Sequence, residues 1–168
     1  MKNNKNIHKK KQFRAAIRNV RKAIEIGNSI NPDNIKMSTF YTDLATYYSE
    51  LGNNRKAIKF YLLAEEIFKS YAQEHSYHGL ILLFNMGYTY MLMKQYKKAN
   101  KYFIETAYWQ FKTFGREHFF SKRILKYLKV NYKKFYGAET YNDSEYNKWL
   151  AENLINYHHS VTNSSNNV

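Results

Sequence analysis

The stretch that decides the fold is 44–68, "LATYYSELGNNRKAIKFYLLAEEIF". In it Ala45, Tyr48, Gly52, Ala57, Tyr61 and Ala64 follow one another at gaps of three, four, five, four and three. Gaps of three and four keep residues on one face of an α-helix. The runs on either side of Gly52 therefore read as two one-sided helices. Glycine takes left-handed backbone at no steric cost, so Gly52 can end the first helix and reverse the chain. Two helix axes approach closely only where side chains are small, and larger residues on neighbouring turns then fill the flanking grooves. The stretch predicts a tight antiparallel hairpin in which Ala45 meets Ala57. Tyr48 and Tyr61 pack beside them, and Ala64 is left for the approach of a further helix.

Apolar residues recur at helical spacing through nearly all of the 168 residues, and one proline with six glycines leaves few breaks. The spacing predicts helices over 9–29, 38–51, 54–74, 77–93, 95–114 and 117–136, and a seventh capped by Asp143 or Ser144. The fold class is all-α, an α-solenoid of stacked antiparallel helix hairpins with about seven helices. The proline of "NPDN" (31–34) separates the first two helices, because proline restricts the residue before it. Ser38 is the expected cap of the second helix. The seventh is expected to carry Tyr146, Trp149, Leu150, Leu154 and Tyr157 inward.

The hairpins repeat. "FKSYAQEHSYHGLIL" (68–82) aligns with "FKTFGREHFFSKRIL" (111–125) at a shift of 43. "LGNNRKAIKFYLLA" aligns with "LMKQYKKANKYFIETA" at a shift of 42, pairing Ala57 with Ala99 and Tyr61 with Phe103. In the second unit Gly87, Tyr90, Ala99 and Phe103 take the places of the first unit's small and aromatic residues. Each hairpin leaves an apolar face uncovered, so the units must stack.

Tyr41, Leu44, Ala45, Tyr48, Gly52, Ala57, Tyr61 and Ala64 resemble the helix-turn-helix pattern of the tetratricopeptide repeat family. The second unit is similar at Gly87, Tyr90, Tyr96, Ala99 and Phe103. It departs from the pattern at Thr106, in place of the second alanine, and at Lys94, in place of the turn glycine. The long period, Asn85 in "FNMGYTY" and "FGREH" before the next helix resemble the 42-residue variant of kinesin light chains. The third unit is degraded: Leu125, Leu128 and Tyr132 fit its first helix, Lys129 stands where a small residue belongs, and no alanine pair follows Gly137. The first helix, with Ala16, Val20 and Ala23, resembles an isolated second helix of a repeat. The expected organisation is a disordered basic N-terminus over 1–8, a repeat domain over 9–158 and a polar tail over 159–168. The best repeats are 38–74 and 77–114, and a degenerate third covers 117–158.

The resemblance implies a protein–protein interaction scaffold that binds a peptide or protein segment in a concave groove lined by the first helix of each unit. The groove-facing positions it implies are Thr42 and Thr46 on the second helix. The fourth offers Ile81, Phe84, Asn85, Tyr88 and Met91, and the sixth offers Arg123, Lys126 and Lys133. The fourth helix is apolar all round. Leu83, Met86 and Tyr90 supply its core, so Ile81, Phe84, Tyr88 and Met91 either face a partner or are covered by another part of the chain or a second copy. Lys122, Lys126, Lys129 and Lys133 form one stripe of the sixth helix, where an acidic peptide could dock.

Charge points the same way. The formal net charge is +14, with nine Lys or Arg and no acid over 2–22 and six more with no acid over 122–134. Such blocks attract anionic partners. Two other functions compete with the scaffold. One is a peptide-sensing regulatory module, as in bacterial receptors built from these repeats. The other is a basic nucleic-acid accessory protein, whose sequence signal is weakened because most aromatics are assigned to hairpin packing. Self-association through the open ends of the stack is a further expectation.

No nucleophile elbow, phosphate loop or HExxH motif is present, so no enzyme activity is expected. No cofactor is implied. His158 and His159 lack a third ligand at a supporting spacing, so no metal site is expected. Without cysteine, disulfides and thiolate metal sites are excluded. The longest apolar run, 80–93, includes Asn85 and Thr89 and is too short to span a bilayer. A soluble cytoplasmic protein is expected.

Overall fold

The computed structural model describes residues 2–31 and 34–165. Among the described residues the backbone forms seven helices and no strand: α1 (Lys2–Ile30), α2 (Lys36–Glu50), α3 (Asn54–Ser70), α4 (Tyr77–Leu92), α5 (Tyr96–Phe114), α6 (Phe119–Tyr136) and α7 (Asp143–Ser165). The chain divides into two compact units, Met1–Asn85 and Met86–Val168, and the division falls inside α4. Pro32, assigned above to the break before α2, lies outside the described residues.

In the first unit α2 and α3 make the hairpin. Ala45, Ala57 and Ala64 are fully buried, and Tyr61 is almost so. Tyr48 stacks on Phe60 with ring centroids 5.6 Å apart. The reversal is closed by two backbone bonds, Gly52 N–H to Ser49 O at 2.8 Å and Asn53 N–H to Tyr48 O at 2.8 Å. Helix α1 lies against α2: Phe13 meets Tyr47 at 5.8 Å, and a Cβ on Gly27 would fall 2.5 Å from the Met37 sulfur. It takes the place of a second helix preceding α2, as its Ala16, Val20 and Ala23 suggest.

In the second unit the C-terminal part of α4 packs on α5. A Cβ on Gly87 would fall 2.6 Å from the Phe103 ring, so only glycine fits that approach. Tyr90 stacks on Tyr102 at 5.6 Å, repeating the Tyr48–Phe60 pair at a shift of 42. The reversal repeats too: Lys94 N–H bonds to Met91 O at 3.0 Å and Gln95 N–H to Tyr90 O at 2.9 Å. Lys94 adopts the left-handed φ of 59° that Gly52 has at 80°. The next corner shows the same equivalence, with Ala72 at φ 51° and Gly115 at 79°. Rings rather than alanines fill the space between α6 and α7. Tyr132 contacts Tyr146 at 5.3 Å and Trp149 at 5.0 Å.

Three local expectations are corrected. Ser38 does not cap α2, which begins at Lys36; Ser38 is fully buried and its hydroxyl donates to Ile35 O at 2.5 Å. The cap of α7 is Asn142, whose Oδ1 accepts from Ser144 N–H at 2.7 Å, one residue before the expected cap. Both outer helices also exceed their expected ends. The helical backbone of α1 starts at Lys2 and that of α7 continues to Ser165. The sequence places no glycine or proline in 1–26 or 138–168 to stop them.

Candidate interaction site

Within Met1–Asn85, helices α2, α3 and α4 bring polar side chains together. Thr42 is buried, and its hydroxyl donates to Ser38 O at 2.7 Å. Half-buried Thr46 donates to Thr42 O at 2.9 Å, lies 3.0 Å from the Tyr61 hydroxyl and lies 3.5 Å from Asn85 Nδ2. Helical spacing sets this ladder, since Ser38, Thr42 and Thr46 are four apart. The structure therefore brings Thr42, Thr46 and Asn85 together. Asn85 is half-buried and its contact with Thr46 is at the outer limit of hydrogen-bond length, so its amide retains capacity for a ligand. Nearby on α2, burial pushes the Asp43 carboxyl above the usual range, opposed by His78.

Of the fourth-helix residues expected to face a partner, Ile81 is half-buried and Phe84 is buried, with 9% of its surface exposed. In the second unit Met91 is buried at 8% exposure. Phe84 and Met91, like Thr42 at 8% exposure, are thus corrected from groove surface to core. An all-apolar helix is resolved here by enclosure on most sides rather than by a free apolar face. Tyr88 is half-buried and stands edge-on to Tyr127 at 5.5 Å.

On α6, Arg123 and Lys126 are exposed. Lys122, Lys129 and Lys133 make contacts within their own unit. Lys122 pairs with Glu117 at 2.9 Å. Lys129 pairs with Asp143 at 2.7 Å and also faces Tyr141, which bonds to the same carboxylate. That hydrogen bond to Asp143, with Tyr141 second, raises the Lys129 ammonium above its ordinary range and lowers Asp143. Lys133, expected as a docking cation, lies 3.9 Å from the centroid of the Tyr141 ring. The stripe is therefore a partly neutralised surface; Lys126 on it and Arg123 beside it are the exposed members of the docking cations expected from the sequence.

The sequence reading missed a cleft of about 630 Å³ between α5, α6 and α7, all within Met86–Val168. Its α7 wall carries Trp149, Asn153, Asn156 and Ser160, at gaps of four, three and four. That helical spacing is the signal of the cleft in the sequence, masked by the apolar residues interleaved with it on the same helix. Among the described residues no group of three or more His, Asp or Glu is placed to hold a metal ion. His158 Nδ1 instead lies 2.8 Å from the Tyr108 hydroxyl. No described helix is long and apolar enough to cross a membrane.

Comparison with known proteins places these features. The family model of the tetratricopeptide repeat matches residues 38–71 and 81–112. No curated protein matches the chain. Among solved structures the chain is similar to BtubC (BKLC) from P. vanneervenii, with a TM-score of 0.70 at 19% identity. The match covers 89% of this chain and 57% of that one, so the chain spans less than two thirds of its neighbour. At this identity the likeness shows the fold: all-α, of the solenoid type built from such repeats.

Proposed function

Since residues 38–71 and 81–112 are tetratricopeptide repeats, we propose that the chain is a non-catalytic scaffold that binds an acidic protein or peptide segment along the first helices of its repeats. Repeats of this kind support protein interaction in general and typically carry no catalytic role. The observation that carries the finer reading is the amide of Asn85, half-buried beside Thr46 and Tyr61 yet only weakly engaged. An amide at such a place suits the backbone of an extended segment, because it can donate and accept at once. Arg123 and Lys126 are the cations that would meet acidic side chains. The concave groove and its basic side are part of this proposal.

Affinity capture from source cells tests it. The wild type is compared with Asn85→Leu and with the double variant Arg123→Glu/Lys126→Glu. The expected result is one protein retained by the wild type and lost, by about ten-fold or more, from both variants. Equal capture by all three would overturn the groove assignment while leaving the repeat fold untouched.

A further inference from the structure

The cleft of the second unit has a lining unlike a helix-packing seam. Lys97 and Lys101 stand on its α5 wall, with Asn100 between them and Ile104 one turn on. At one end Phe135 and Tyr136 of α6 expose 44% and 48% of their surfaces. These two rings were not among the aromatics that hairpin packing consumes. They meet each other edge-on at 4.7 Å, and Tyr136 contacts Tyr132 at 4.5 Å, so each exposed ring is backed by a neighbour.

The amides of the cleft are held in complementary senses. Asn131 is fully buried and its Nδ2 donates to Asn100 Oδ1 at 2.6 Å and to Tyr96 O at 2.9 Å. With its oxygen occupied, Asn100 offers N–H donors. Asn153 Nδ2 donates to Trp149 O at 2.8 Å, so Asn153 offers its oxygen as an acceptor. The Tyr157 hydroxyl accepts from Trp109 and contacts Glu105, and so belongs to the wall.

We propose that this cleft binds a nucleotide unit of a single-stranded nucleic acid. Lysines on one wall suit a phosphate, an exposed ring suits a base face, and paired donor and acceptor amides suit a base edge, which presents both kinds of group. The volume matches that of small-ligand sites. An acidic peptide could also pair with the amides through its backbone, but it makes no comparable use of the exposed Phe135 and Tyr136 rings, on which a base face can stack. The site is independent of the peptide reading above, which rests on other residues.

Fluorescence anisotropy of the full chain with 5′-fluorescein-labelled decamers rA10, rU10 and dT10, at about 0.15 M salt, tests the assignment. Free AMP and UMP as competitors distinguish a strand from a mononucleotide as the source. Lys97→Glu, Tyr136→Leu and Asn156→Asp are expected to weaken decamer binding about ten-fold each, whereas Lys59→Glu and Lys10→Glu, at exposed lysines of the other unit, change it less than about two-fold. Asn156 is exposed on α7, so its variant keeps the packing and guards against loss of fold. The proposal is overturned if all three lysine variants weaken binding alike, which means diffuse attraction. It is equally overturned if Tyr136→Leu and Asn156→Asp leave binding unchanged. Failure of the decamers to bind, or binding of a labelled glutamate decamer through the same cleft residues, also sinks it. A loss of decamer binding confined to Arg123→Glu/Lys126→Glu, residues outside the cleft, would overturn it as well.

Discussion

Lys94 and Ala72 occupy a conformation that L-residues adopt at a cost, with φ of 59° and 51°. The left-handed region costs a residue with a Cβ about 1 kcal/mol relative to glycine. Lys94→Gly and Ala72→Gly are therefore each expected to stabilise the chain by about 1 kcal/mol, read as a rise of about 2–4 °C in Tm by calorimetry. A fall in Tm for both would show that the corners are held by the side chains. The opposite holds at Gly87, where a Cβ would sit 2.6 Å from the buried ring of Phe103. Gly87→Ala is expected to destabilise by about 1–3 kcal/mol, measured by urea unfolding. At this scale the sequence was most legible where a residue type is forced. Ala45, Ala57, Ala64 and Ala99 were all placed in the core, and all are fully buried. It was least legible where polarity hides burial. Ser38 looked like a cap and is a core residue, because a serine hydroxyl inside a helix can return its hydrogen bond to a preceding carbonyl.

Among the elements, α2 carries a testable electrostatic penalty. Burial raises the Asp43 pKa above its ordinary 3.8, and the nearby His78 only partly offsets this. A carboxyl raised on folding gives up its proton more readily in the unfolded chain, so the folded state loses stability as pH rises from the unfolded value through the folded one. Asp43→Asn removes that loss. The variant is expected to melt higher than the wild type at pH 7, with the difference shrinking toward zero near pH 4. A constant difference across thermal melts from pH 4 to 8 would refute the assignment. Periodicity located all seven helices, and α4 shows where it stops. An all-apolar helix announces burial without saying which residues are enclosed, so Phe84 and Met91 could only be assigned from coordinates. The lysine stripe of α6 was read correctly as a stripe but not as partly neutralised. Glu117 and Asp143 lie outside the helix, where helical spacing cannot relate them to its lysines.

For the molecule as a whole, +14 formal charges on 168 residues impose self-repulsion on any compact state. Screening should relieve it, so Tm is expected to rise between about 0.02 and 0.2 M sodium chloride, where the screening length falls to below about 10 Å. A flat or falling Tm in differential scanning fluorimetry would mean that local pairs such as Lys129–Asp143 dominate over the general field. The corners between helices carry a different lesson. Tyr48 to Asn53 and Tyr90 to Gln95 differ at the reversing residue, glycine in one and lysine in the other, yet both make the same two backbone bonds. The N-cap residues that follow, Asn53 and Gln95, share dihedrals to within a few degrees, at φ −86° and ψ 61° against φ −88° and ψ 62°. These joints are thus standard fittings: either segment could be spliced into the other's place, and the rods on each side would keep their course.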